Sequence, residues 1–201
     1  MGVTTTRAEG RRTGPRVPTR AILICAAFAA LQTLVFFAVV PLTTALAIAA
    51  PPAYAVVAGI HSLLPFTARL VTGVPGTATI TALITGVLTA AFSPIGLLAA
   101  VPMLTAGIVF DVALLRRRGH GPIPLWRVMI GAVAAGIALF FVSLPVFSSE
   151  HLVPPILAAT LAGRILGETA AALVAFALTR ALARGGLVRH APPVERMRPP
   201  E

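Results

Sequence analysis

The chain has 201 residues, 57% of them hydrophobic and only 11% charged, with a mean hydropathy of +0.93. A soluble core cannot bury that much apolar surface, so lipid is the solvent for most of the chain, and there is room for five to seven spans of roughly 20 residues but for no separate soluble domain. The net charge of +10 is carried by 16 basic residues, all arginine. Nearly all of them lie between or beyond the apolar runs, where they act as orientation signals and not as a nucleic-acid surface.

Residues 1–20 are polar, arginine-rich and broken by Pro15 and Pro18, and are expected to form a disordered basic tail. A first span is expected from about Ala21 to Val40, ending near Pro41. The second runs from about Ala53 to Ala68, short and interrupted by Pro65, and closes on Arg69 and the Gly73-Val74-Pro75-Gly76 turn. A third span covers about Gly76 to Phe92 and stops at Ser93-Pro94. The fourth, about Ile95 to Leu115, is stopped by Arg116, Arg117 and Arg118. The fifth covers about Leu125 to Phe147, and the sixth about Val153 to Leu182. The fold class is therefore all-α: a polytopic six-transmembrane-helix bundle over residues 21–184, followed by a disordered Pro/Arg-rich tail over 185–201.

Orientation follows from the arginines, because cytoplasmic loops carry the excess of basic residues. With six spans the N-terminal tail, Arg69, the Arg116 to Arg118 cluster with Arg127, and the C-terminal arginines all fall on one side. The other three loops contain neither Lys nor Arg. Both termini are accordingly expected in the cytoplasm and the chain in the inner (plasma) membrane.

Several chemistries are excluded by residue type. Without a lysine there is no Walker A loop and no Schiff base, so any ATP hydrolysis belongs to another chain. The single cysteine, Cys25, lies inside the first apolar run, and the four histidines are scattered at 61, 120, 151 and 190. No catalytic constellation, metal site or cofactor motif stands out.

What remains is a few polar residues at membrane depth, where an ionised side chain costs on the order of 3 kcal/mol and needs a partner or a wet cavity. Arg164 and Glu168 are four apart on the sixth span and share a helical face. Two readings stand side by side: an internal ion pair bracing the bundle, or a substrate clamp. Tyr54 and His61 on the second span, and Glu150 with His151 in the loop before the sixth, are further candidate ligand contacts. Asp111 and Arg69 lie near helix ends, where snorkelling or an ion pair explains them. Gln32 and Trp126 are weaker candidates, Trp126 fitting an aromatic belt. Thr77, Thr81, Thr85 and Thr89 recur every four residues, as do Gly163, Gly167 and Ala171, and Ala26 with Ala30 on the first span. Such stripes are expected to be close-packing seams, with one polar wall of a cavity as the other reading of the threonines.

Six short spans in about 200 residues, the A-x-x-x-A element at Ala26 and Ala30, the G-x-P-G turn at Gly73–Gly76 and the Arg164-Ile165-Leu166-Gly167 opening together resemble the substrate-binding S components of energy-coupling-factor (ECF) transporters. The resemblance implies a vitamin or vitamin precursor, of the thiamine or hydroxymethylpyrimidine kind, captured from outside. It implies docking on a transmembrane T subunit with two ATPase subunits, Ala26 and Ala30 facing the T subunit. Arg164, Glu168, Glu150 and His151 become the transferred pocket residues, and Ser93-Pro94-Ile95-Gly96 a loop over the ligand. Three other classes stay open: a structural or assembly membrane protein without a ligand, a proton-coupled transporter using Glu168, and, weakest, an intramembrane enzyme.

Overall fold

The computed structural model of the chain describes residues 17–93, 96–115 and 123–186, and every regular element among them is helical. In chain order these are α1 (Thr19–Ala49), α2 (Pro51–Ala58), α3 (Leu63–Thr72), α4 (Thr77–Ala90), α5 (Ala100–Ala113), α6 (Leu125–Ser143) and α7 (Pro154–Arg184). A 3-10 turn, Gly59–Ser62, joins α2 and α3 into one broken rod, so the described residues form six rods, as expected from the hydropathy. Five of them, α1, Pro51–Thr72, Gly96–Ala113, α6 and α7, are long and apolar enough to cross a membrane, and α4 is a shorter apolar helix. Most of the N-terminal tail, Pro94 and Ile95, the Arg116 to Arg118 cluster and most of the C-terminal tail lie outside the described residues.

The rods close a ring in the order α1, α4, α5, α6, α7, α2, with α3 turned inward against α1, α4, α5 and α7. Burial follows: 61% of the apolar window of Pro51–Thr72 is buried, against 17% for α1, which is the rod most open to lipid or to another protein. Helix α1 does not stop at Pro41 as the sequence reading had it. It runs on to Ala49 with Pro41 inside. Proline removes one backbone donor, which here would have paired with Phe37 O, and the ladder on either side carries the helix through. Thr43 Oγ donates to Val39 O at 3.3 Å and to Val40 O at 3.1 Å.

Small side chains set the helix spacing. Thr77, Thr81, Thr85 and Thr89 are fully buried, and each of the last three hydroxyls bonds the carbonyl four residues back, at 2.8 to 2.9 Å. They face Cys25 and Ala29 of α1, with Thr85 Oγ reaching Ala29 O and Cys25 Sγ reaching Thr77 O, both at 3.5 Å. The stripe is a packing seam and not a cavity wall, because its hydroxyls are consumed by its own backbone. The turn from α3 into α4 depends on two glycines at positive φ, Gly73 (66°) and Gly76 (89°).

The core at this end of the bundle stacks Phe66 on Phe110, centroids 3.8 Å apart, above Leu70, Leu114 and Val128. A polar knot lies beside it. Arg69 Nε of α3 meets Asp111 Oδ1 of α5 at 3.0 Å, with both side chains almost fully buried. Asp111 Oδ2 accepts from Thr79 N–H and Thr79 Oγ, each at 2.8 Å, and so caps the first turn of α4, where a helix presents unpaired donors and favours negative charge. Arg69 also donates to Leu114 O at 3.2 Å, and Arg127 to Leu115 O at 3.0 Å, closing the C-terminal end of α5. Of the two explanations open for Arg69 and Asp111 in the sequence, the helix-end ion pair is the one that forms.

Candidate functional site

The second polar cluster lies where α2, the 3-10 turn and α7 run side by side. Their approach is as close as backbones allow. A Cβ on Gly163 would sit 2.6 Å from Pro52 O, one on Gly167 would sit 2.5 Å from Val56 O, and one on Gly59 would overlap the Gly167 backbone. On its other flank α7 meets Gly136 of α6, where a Cβ would lie 3.1 Å from Arg164 O. The small-residue stripe of the sixth span is thus the seam that seats α7 and fixes the direction of its next residues, Arg164 and Glu168.

The break between α2 and α3 has a cause in sequence. Pro65 has no N–H to offer His61 O, and Gly59 is a weak helix former, so the ladder loosens across 59–62 and tightens into 3-10 geometry. The rung an α-helix would close from Leu64 N–H to Ile60 O is taken up by Gln32 of α1. Its Oε1 accepts from Leu64 N–H at 3.2 Å and its Nε2 donates to Ile60 O at 3.4 Å. Gln32 is fully buried. Its role is to hold open a backbone irregularity that lipid alone would not tolerate. The result is that His61 and Ser62 face α7.

Arg164 is 3% exposed and Glu168 0%. Despite their spacing they form no ion pair; among the described residues Arg69 with Asp111 is the side-chain ion pair. The Arg164 guanidinium instead lies over the Tyr54 ring, 4.9 Å from its centroid, a cation–π contact that leaves Nε without a hydrogen-bond partner. Both Glu168 carboxylate oxygens also lack a partner. Ser62 sits alongside but outside hydrogen-bond geometry, and Arg164 lies within Coulombic range of Glu168 and of His61. His61 Nδ1 is buried without a partner, and the His61 ring tilts against Phe36 of α1, centroids 5.1 Å apart. Arg164 and Glu168 are therefore joined by no ion pair or hydrogen bond.

Four of the residues singled out in the sequence, Tyr54, His61, Arg164 and Glu168, come together here. Glu150 and His151 do not join them. They occupy a short 3-10 turn before α7, with Ser148 Oγ 3.1 Å from Glu150 Oε1 and 2.8 Å from His151 Nδ1. With Ala47, Ile48 and Phe147 they line a recess of about 240 Å³ that shares no residue with the Arg164 cluster. A larger recess, about 470 Å³, lies at the other end of the bundle between Leu70, Leu125, Phe176 and Arg180. Ala26 and Ala30 are both exposed, on the face of α1 turned away from the bundle. Ser93 and Gly96 flank Pro94 and Ile95, which are outside the described residues, so the linking loop gives no geometry. Phe36 and Ser62 are not among the residues that the sequence singles out, and Gln32 is among its weaker candidates. A signal existed: Gln32 and Phe36 are one helical turn apart on α1, and Ser62 follows His61 in a stretch bounded by Gly59 and Pro65.

A crystal structure of an S component of an ECF transporter matches this chain with a TM-score of 0.75 and 21% sequence identity, covering 86% of this chain and 89% of that one. The two share one fold, a helical membrane bundle. No protein-family model matches the sequence, and no curated protein does.

Proposed function

We propose that this chain is the substrate-capturing S component of an ECF-type importer, taking up a vitamin or vitamin precursor. The carrying observation is that Arg164 and Glu168, buried one turn apart on α7 beside Tyr54, His61 and Ser62, form no ion pair with each other. Charged groups at membrane depth mark substrate paths when they lack a protein partner, and the default reading of such a cluster is a ligand site. The shared fold supports the same reading.

In this reading the arginine-bearing ends of the rods and both termini are cytoplasmic, which puts Tyr54, His61 and the N-terminal half of α7 toward the outside. Substrate arrives from that side. The chain itself is not an enzyme; its part is to bind, orient and desolvate the ligand, and ATP is hydrolysed by two partner subunits. The exposed Ala26 and Ala30 offer a shallow surface on α1 for close approach of a transmembrane T subunit, since small residues let helix backbones meet.

The test is native mass spectrometry of the purified chain in mild detergent, with the released small molecule identified by mass. A stoichiometric ligand that is lost in both Arg164→Ala and Glu168→Ala is the expected result. A protein that carries nothing and binds no member of a vitamin panel sinks the proposal and leaves a structural or assembly role.

A further inference from the structure

Resting on that capture reading, the geometry points to one class of ligand: we infer that the site takes a small zwitterion, its anionic group held by Arg164 and its ammonium or amino group by Glu168. Arg164 and Glu168 are a pair that ought to close and does not. An acid four residues from an arginine on one helical face is placed for a direct ion pair, yet the Arg164 head is drawn over Tyr54 and Glu168 keeps both oxygens unpartnered in full burial.

Each charge is shaped for a different end of a guest. The Tyr54 ring lies against the guanidinium and leaves Nε unpartnered, and an arginine edge recognises a carboxylate or phosphate by paired N–H donors. Two unpartnered carboxylate oxygens beside the Ser62 hydroxyl make an acceptor set for an N–H donor, and a cationic one matches the charge. Anchored on Cα atoms about 6 Å apart along the α7 axis, from four residues at 1.5 Å rise, the two groups suit a molecule whose charges are separated by a few bonds. A singly charged ligand compensates one of the two and leaves the other buried and uncompensated. A zwitterion compensates both while the site and its guest remain neutral overall, which is the cheapest charge state at membrane depth.

The test uses the full chain in lipid nanodiscs, with γ-aminobutyrate and ε-aminocaproate as zwitterionic probes beside their N-acetyl and carboxamide derivatives, read by native mass spectrometry and calorimetry. At least one intact probe should bind, and blocking either end should weaken it by about 30-fold or more, as expected for losing one charge-assisted contact. In Glu168→Gln the penalty for N-acetylation should vanish while that for the carboxamide persists, and in Arg164→Gln the reverse should hold. Thermal melts of both variants check that they remain folded. A neutral or singly charged molecule bound with no preference for a zwitterion, whether a probe or a co-purified mass, overturns the charge assignment but leaves substrate capture standing. No bound molecule of any class overturns both.

Discussion

Two buried arginine–carboxylate sets occupy this bundle and differ in how they are satisfied. In the knot, Arg69 meets Asp111 at 3.0 Å, Asp111 takes two further donors from Thr79, and Arg69 takes Leu114 O. In the second cluster Arg164 and Glu168 share one helix and face, and neither hydrogen-bonds the other. The difference lies in where the partners come from. Three separate helices bring the knot together at their ends, where orphan N–H and C=O groups need filling. At the second cluster the backbone is already bridged by Gln32, and the glycine seam holds α7 so close to α2 that the arginine is captured by an aromatic face. The first set is tied across three helices; the second keeps both Glu168 oxygens without a hydrogen-bond partner.

That contrast can be broken by substitution. Asp111→Ala should cost most, about 3–5 kcal/mol, because it strips Arg69 of its counter-charge in a buried site and uncaps α4; thermal melts in detergent should show a large drop, and a melt within a degree of the parent refutes the brace. Gly167→Leu should follow, at about 1–3 kcal/mol or more, since the backbone of α2 leaves no room beyond the glycine. It should also abolish ligand capture by pushing α7 away, and retained binding would show that the seam does not set the site.

Gln32→Ala sharpens the comparison from a third side. Leaving Leu64 N–H and Ile60 O without their bridge should cost about 1–3 kcal/mol, and hydrogen exchange at residues 60–64 should rise while the knot stays protected. Uniform exchange across both regions would contradict a local role. The smallest expected stability effect is that of Glu168→Gln. It replaces a buried carboxyl group that has no hydrogen-bond partner while keeping the shape, so the melting temperature should equal or exceed that of the parent even as ligand binding falls. A destabilised Glu168→Gln would show that the carboxylate is part of the frame after all.

Much of the bundle was legible in the residue order, because lipid demands long apolar helices and tolerates little else. The six spans, the turn at Gly73–Gly76, the close seams at Gly163 and Gly167 and the helix-end pairing of Arg69 with Asp111 could all be anticipated from periodicity, turn residues and the scarcity of charge. Pro41 misled because a proline reads locally as a stop, whereas the loss of a single rung does not end a long apolar helix whose ladder holds on both sides. The threonine stripe and the Arg164–Glu168 pair each carried two readings that local spacing could not separate.

Only the tertiary structure decided for the threonines, and it shows no ion pair between Arg164 and Glu168. Spacing along one helix states which side chains share a face, but not what stands opposite that face. Cys25 and Ala29 stand opposite the threonines, making them a seam, and Tyr54, Ser62 and His61 stand beside Arg164 and Glu168, the cluster proposed above as the ligand site. The sequence by itself determined a helical membrane bundle with a few charges too costly to be accidental. Which charges the fold consumed and which it left unspent depended on contacts between residues far apart in the chain, such as Gln32 with the broken turn and Gly59 with Gly167, and those exist only once the rods have met.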